Sequence, residues 1–143
     1  MKINFYYKKV KNKEKFTGLD FKKKVKEVIS NISTEENSEF SYLNIIFCND
    51  EIIRDYNQKF LGHDYETDII TFHDVDENKL IEGELLISTE TVNTNSRIYK
   101  ATFNEELLRV IIHGVLHLCG YKDRTKLQKV KIRKRENYYL KLK

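Results

Sequence analysis

The stretch that most constrains this 143-residue chain is its most apolar one, Leu107 to Leu118, because it reads as a helix with both ends signalled and carries two histidines. Thr102-Phe-Asn-Glu105 has the spacing of a capping box, in which the Thr hydroxyl and the Glu carboxylate satisfy each other's free backbone N–H groups. Gly120 supplies the stop, since glycine takes the positive φ of a helix C-terminus without steric cost. His113 and His117 are four residues apart and project from one helix face. Two imidazoles so placed can bind one ion at about 2.0–2.1 Å, or can be core residues satisfied by hydrogen bonds. The pair alone does not choose between these.

The residues that follow do choose. The helix stops at Gly120, so it offers no third ligand further along that face, but a positive-φ turn folds the chain back towards the histidines. Asp123, three residues past the glycine, is placed to complete a tripod. Three protein ligands leave a fourth position for water, the arrangement of catalytic rather than structural zinc. The spacing matches the H-x-x-x-H-x-x-G-x-x-H/D pattern of metzincin-like sites, with Asp as a hard, zinc-competent third ligand. Cys119 falls on a different helix face and is expected as a buried thiol, not a ligand. Zinc proteases place a general-base Glu directly after the first histidine; here that position is Gly114, which argues against peptide hydrolysis.

Composition sets the surroundings. Hydrophobic residues make up 40% and charged residues 34%, a globular balance in one ordinary domain's length, and residues 1–143 are expected to form a single domain. No apolar run could span a bilayer, and the N-terminus lacks the apolar core of a signal peptide. Cys48 and Cys119 give no disulfide framework, so a reducing cytoplasm is the expected compartment. The net charge of +4 is unevenly spread: residues 1–26 carry ten Lys and two acids, residues 122–143 ten Lys/Arg and two acids, and residues 27–121 six basic and eighteen acidic residues. The ends could hold a polyanion while a cation sits in the acidic middle, although Lys-rich helix faces are more often plain solvated surface.

The remaining pattern mixes strands and helices. Ile3–Tyr7, Leu43–Cys48, Thr67–Phe72 and Glu84–Ser88 read as strands. Thr17-Gly-Leu-Asp20 resembles the start of a Lys-rich helix running to about Asn31, striped by Phe21, Val25, Val28 and Ile29. Asn49 caps a helix that Gly62 ends, Thr89 opens a polar, weakly helical stretch, and a basic helix runs from about Thr125 to Leu142 with Leu127, Val130, Tyr138 and Leu142 as its inward candidates. Glu35–Glu39 and the acidic run Asp74–Glu77 read as loops. The expected fold is α+β (α/β mixed), one mixed sheet of about four strands surrounded by helices, with a metzincin-like metal helix.

With these motifs in place, the chain resembles the YbeY-type endoribonucleases, the rRNA maturation factors. His113-Gly-Val-Leu-His-Leu-Cys-Gly-Tyr121 is similar to that family's H-G-x-L-H-L-x-G-Y, and Asp123 stands at its third-ligand position. Asp64-Tyr-Glu-Thr-Asp-Ile-Ile-Thr-Phe72 resembles its D-x-x-T-D-V-L-S-F segment, and Gly83-Glu-Leu-Leu-Ile-Ser88 its G-D-I-x-I-S strand. With Asn49-Asp50 and Asn57 between them, the resemblance covers about residues 43–125 in order. It implies a single-strand-specific, metal-dependent endoribonuclease that matures small-subunit rRNA and serves ribosome quality control, with RNA and the small ribosomal subunit as partners and one zinc ion per chain. The family usually has His where this chain has Asp123, and an Arg meeting phosphate where this chain has Leu61. Lys59, Arg124 or Lys126 could supply a point charge, though not from the equivalent place.

Thr67 and Asp68 are expected at the floor of the cleft, with Asp68 alternatively capping a turn. His63 and His73 are candidates for base or RNA contact, against the commoner role of exposed loop histidines, and His63 comes first. Phe72 and Tyr121 could stack on bases or simply pack, and Glu84 is expected to face solvent. The RNA hydrolase stands first among three classes, ahead of a weakly catalytic or non-catalytic RNA-binding assembly factor with a structural metal, and of a zinc peptidase.

Overall fold

The computed structural model describes residues 1–11 and 18–141. In chain order these form β1 (Lys2–Tyr7), α1 (Leu19–Glu35), β2 (Phe40–Cys48), α2 (Asp50–Leu61), β3 (Ile69–Val75), β4 (Ile81–Ser88), α3 (Thr89–Ile98), α4 (Phe103–Leu118) and α5 (Lys126–Lys141). The strands make one mixed sheet in the order β1-β2-β4-β3, parallel between β1, β2 and β4 and antiparallel between β4 and β3. This is the α+β architecture expected from the pattern, with four strands and helices around them.

Side chains alternate across a strand, and β2 and β4 use both faces. Leu43, Ile45 and Phe47 of β2, with Leu85 and Ile87 of β4, enter the main core under α1, α4 and α5. Ile46, Cys48 and Leu86 point the other way, into a smaller cluster with Ile53, Ile52 and Tyr56 of α2. On α1 the buried residues Val25, Val28, Ile29 and Ile32 recur at helical spacing. Two glycines let α4 settle closely on the sheet. A Cβ at Gly114 would lie 2.5 Å from Ile69 Cδ1 and 2.8 Å from Leu85 Cδ2, and one at Gly83 would lie 2.6 Å from Leu118 Cδ1. Position 114 therefore faces the apolar sheet contact.

Caps fall where the residue types put them. The Asn49 side chain accepts from Ile52 N–H, Gly62 closes α2 at φ 70°, and Thr102 and Glu105 form both bonds of the capping box on α4. Thr125 and Gln128 build a similar reciprocal cap on α5: Gln128 N–H donates to Thr125 Oγ1, while Gln128 Oε1 accepts from Thr125 and Arg124 N–H.

Several boundaries differ from the sequence reading. Helix α1 runs on to Glu35, and the proposed capping residue Thr17 lies outside the described residues. Strand β3 extends to Val75, because pairing with β4 carries His73, Asp74 and Val75 into the ladder despite the acidic composition; His73 is thus a strand residue. The largest correction concerns α5. Leu127, Val130 and Tyr138 are exposed, Leu142 lies outside the described residues, and the buried face is Ile132, Glu136 and Tyr139. A charged residue turns inward there because partners on α4 await it.

Candidate metal centre

The C-terminus of α4 shows how the local sequence makes the site. Gly120, at φ 106°, lets Gly120 N–H reach His117 O and Tyr121 N–H reach Leu116 O, the paired bonds of a Schellman turn. The chain reverses, and the capped start of α5 follows within five residues. Asp123 is held in this short span and turned back towards α4. Its Oδ2 lies 3.3 Å from His113 Nε2 and 3.3 Å from His117 Nε2, and the two Nε2 atoms are 3.0 Å apart. Among the described residues these three form the one group able to hold a metal ion.

The donor chemistry fits such an ion. A tetrahedral centre with bonds of about 2.0–2.1 Å has ligand-to-ligand edges of about 3.3–3.4 Å. Two edges of this triangle match and the third is slightly short. Each histidine is also oriented from behind. His113 Nδ1 sits 2.6 Å from Glu136 Oε2, and His117 Nδ1 sits 2.8 Å from the backbone carbonyl of Tyr121. Both partners act as acceptors, so in the neutral rings the Nδ1 atoms carry the hydrogens and both Nε2 lone pairs point at the same space. Converging lone pairs and a carboxylate are unfavourable without positive charge between them.

The electrostatics agree. Burial works to lower the His113 pKa, but the Glu136 hydrogen bond and charge, with Asp123 and Asp68, outweigh it and hold the ring above its ordinary value. What favours a proton there also favours a metal cation. Burial likewise pushes the Glu136 carboxyl up, yet His113, Arg109 and Arg133 bring it below its ordinary value. Asp68 goes the other way: burial raises it above the usual carboxylate range, against the pull of His113 and its own hydrogen bonds.

Asp68 and Thr67 line a cleft with Leu61, His113, His117, Lys122, Asp123 and Arg124. A second cavity shares Asp68, His113 and Asp123 with this cleft and is lined also by Asn95, Tyr99, Arg109, Lys129 and Arg133. Other sequence candidates fall elsewhere. His63 is exposed and stacks on Tyr65, whose hydroxyl it meets at 3.1 Å, and it does not line the cleft. His73 is exposed on β3, and Lys59 pairs with Asp55. Phe72 packs against the smaller core and meets the exposed Phe60 edge-on. Tyr121 packs against the main core, and its hydroxyl donates to Glu36. Glu84 is half-buried, accepting from Asn44 Nδ2. Cys119 is half-buried, its thiol pushed up by burial, and stands apart from the histidine group.

Two residues at the heart of this arrangement escaped the sequence reading, Glu136 and Glu36. Glu136 lies in a run of Lys and Arg that looks like solvated surface, and nothing local marks it as buried. Glu36 lies in a polar turn, where it accepts from Tyr121, Tyr139 and Arg135.

The family model described as Endoribonuclease YbeY matches residues 6–142. A curated protein named Endoribonuclease YbeY from Amoebophilus asiaticus is 46% identical over 112 residues, covering 78% of this chain and 76% of the relative. One of the same name from Porphyromonas gingivalis is 52% identical over 98 residues, 68% of this chain and 62% of its own length. The solution structure of TM1509 from Thermotoga maritima is similar with a TM-score of 0.65 and 28% identity, over 96% of this chain and 86% of that one.

Proposed function

The chain belongs to the endoribonuclease YbeY family, and from that premise we propose that it is a zinc-dependent endoribonuclease cutting single-stranded RNA. The observation that carries the reading is the convergence of His113 Nε2, His117 Nε2 and an Asp123 oxygen at 3.0–3.3 Å from one another, with both Nδ1 atoms engaged from behind. These three residues would hold one zinc ion. When bound, zinc supplies Lewis-acid polarisation of a phosphate oxygen and makes a water acidic enough to attack near neutral pH. Gly114 supplies no proton acceptor, and a Cβ there would collide with Ile69 and Leu85.

The chain's own groups supply the rest. Lys122 and Arg124 flank Asp123 on the cleft rim, where they meet the phosphates on either side of the scissile one. Asp68, half-buried and raised above the usual carboxylate range, is the group in the cleft best suited to take a proton, with Thr67 Oγ1 3.5 Å from its carboxylate. Leu61 offers an apolar wall in place of a guanidinium, so phosphate binding rests on the point charges of the rim. The biological substrate is single-stranded small-subunit rRNA on or near the ribosome, and the setting is the cytoplasm. No helix among the described residues is long and apolar enough to cross a membrane.

Zinc content and RNA cleavage test this directly. Purified protein should carry about one zinc per chain and cleave single-stranded rRNA fragments. The His117→Ala protein should lose both, with turnover falling by at least about a thousandfold. Cleavage that persists in His117→Ala would belong to a contaminant. A folded wild type with zinc but no cleavage would favour the second reading, an RNA-binding assembly factor with a structural metal, for which Leu61 in the cleft is the specific observation.

A further inference from the structure

A carboxylate buried in a helix rich in Lys and Arg needs a reason, because removing such a charge from water is costly unless its oxygens are satisfied. Glu136 is 3% exposed and divides its two oxygens between two tasks. Oε1 accepts from Arg109 Nη1 at 3.1 Å, with Arg133 Nη1 at 3.8 Å; Oε2 meets His113 Nδ1 at 2.6 Å. Arg109 lies one turn before His113 on α4, so one helix supplies both the anchor and the target. The arginine fixes the carboxylate, and the carboxylate fixes the imidazole.

We infer that Glu136 is a positioning residue for the metal site: it holds the His113 ring so that Nε2 faces the ion and makes that nitrogen a stronger donor. The inference rests on the metal reading above. It assigns unequal roles to the two histidines. His117 is oriented by a neutral backbone carbonyl, which no substitution at Tyr121 removes, whereas His113 depends on one side chain that reaches it from another helix. A carboxylate behind an imidazole lends negative charge to the ring, and such partners are generally worth about 10–100-fold in metal affinity. An ion pair serving stability alone would leave the metal unaffected.

The test is zinc affinity by competition with a chromophoric chelator, together with the visible absorption of the cobalt(II)-loaded protein. Wild type, Glu136→Gln and Glu136→Ala are compared, and thermal melting of the metal-free forms reports folding. Glu136→Gln keeps an acceptor without the charge and should bind zinc about tenfold more weakly; Glu136→Ala should approach a hundredfold, with an altered cobalt spectrum. Glu136→Gln decides even where Glu136→Ala does not fold. Zinc affinity of Glu136→Gln within twofold of wild type, with an unchanged cobalt spectrum, overturns the assignment and leaves the metal reading standing. A folded wild type that binds neither ion overturns both.

Discussion

Helices α4 and α5 are each sixteen residues long and pack against one another, yet opposite chemistry holds them in place. Helix α4 is apolar on most of its surface, with Leu107, Val110, Ile111, Ile112, Val115 and Leu118 all buried. Helix α5 buries only three residues: Ile132 and Tyr139, which reach the main core, and the charged Glu136. Arg135, next to Glu136, turns towards α1, where it donates to Glu36 Oε2 at 2.6 Å and lies over the rings of Tyr138 and Tyr139. One helix is placed by the hydrophobic effect, which depends little on direction, and the other by hydrogen-bonded charges that require a particular partner. The site lies where the two meet: α4 contributes the two histidines and α5 the carboxylate behind one of them.

The contrast can be attacked first where it predicts most. Ile111 is fully buried in α4 beneath the sheet, so Ile111→Ala should cost about 2–5 kcal/mol. Urea unfolding should show the midpoint falling with the slope unchanged. A loss under about 1 kcal/mol would mean that α4 is not the apolar anchor described here.

The polar half of the contrast carries a pH signature. Burial pushes the Glu36 carboxyl up, but bonds from Tyr139, Arg135 and Tyr121 outweigh it and hold it below its ordinary value of 4.5. A carboxylate depressed in the fold contributes stability that is present above that ordinary value and lost as pH falls through the folded one. Glu36→Gln should therefore cost about 1.5–3 kcal/mol at pH 7, as hydrogen bonds to a charged group do. The deficit should shrink as the solution is acidified below pH 4.5, because wild type loses its advantage there. Melting temperatures measured from pH 7 to pH 3 check it, and a deficit constant across that range would show that the charge is not what holds α1 to α5.

The same division explains what the sequence made legible. The four-stranded mixed sheet, the Thr102–Glu105 capping box and the three converging side chains were readable because each rests on a local signal: short apolar runs in β2 and β4, Thr102 with Glu105, and two histidines one turn apart before a glycine. Asp123 could be named because Gly120 and the reversal that follows fix where the chain goes. Glu136 could not, since its partner is 23 residues away on another helix and it follows directly on the basic run Arg133-Lys134-Arg135. Glu36, whose partners Tyr121 and Arg135 lie 85 and 99 residues away, was hidden for the same reason. His63 failed for the converse reason: it looked chemically apt, but its loop turns it onto Tyr65. The short end of β3 was lost because acidic residues have low strand propensity and only the ladder with β4 overrides it.

The smallest expected effect is also the one that discriminates best about α5. An apolar stripe drawn through Leu127 and Val130 would have put a different face inward. Leu127 is nine residues before Glu136, two and a half helical turns, so the two point in opposite directions. Once His113 and Arg109 fix the inward direction of Glu136, Leu127 must face out, and it is 80% exposed. Leu127→Ala should therefore change stability by less than about 0.5 kcal/mol, although truncating a leucine in a helix is usually read as core damage. A loss of about 2 kcal/mol or more in the same urea experiment would place Leu127 inside, rotate Glu136 away from α4, and remove the structural basis for its hold on His113.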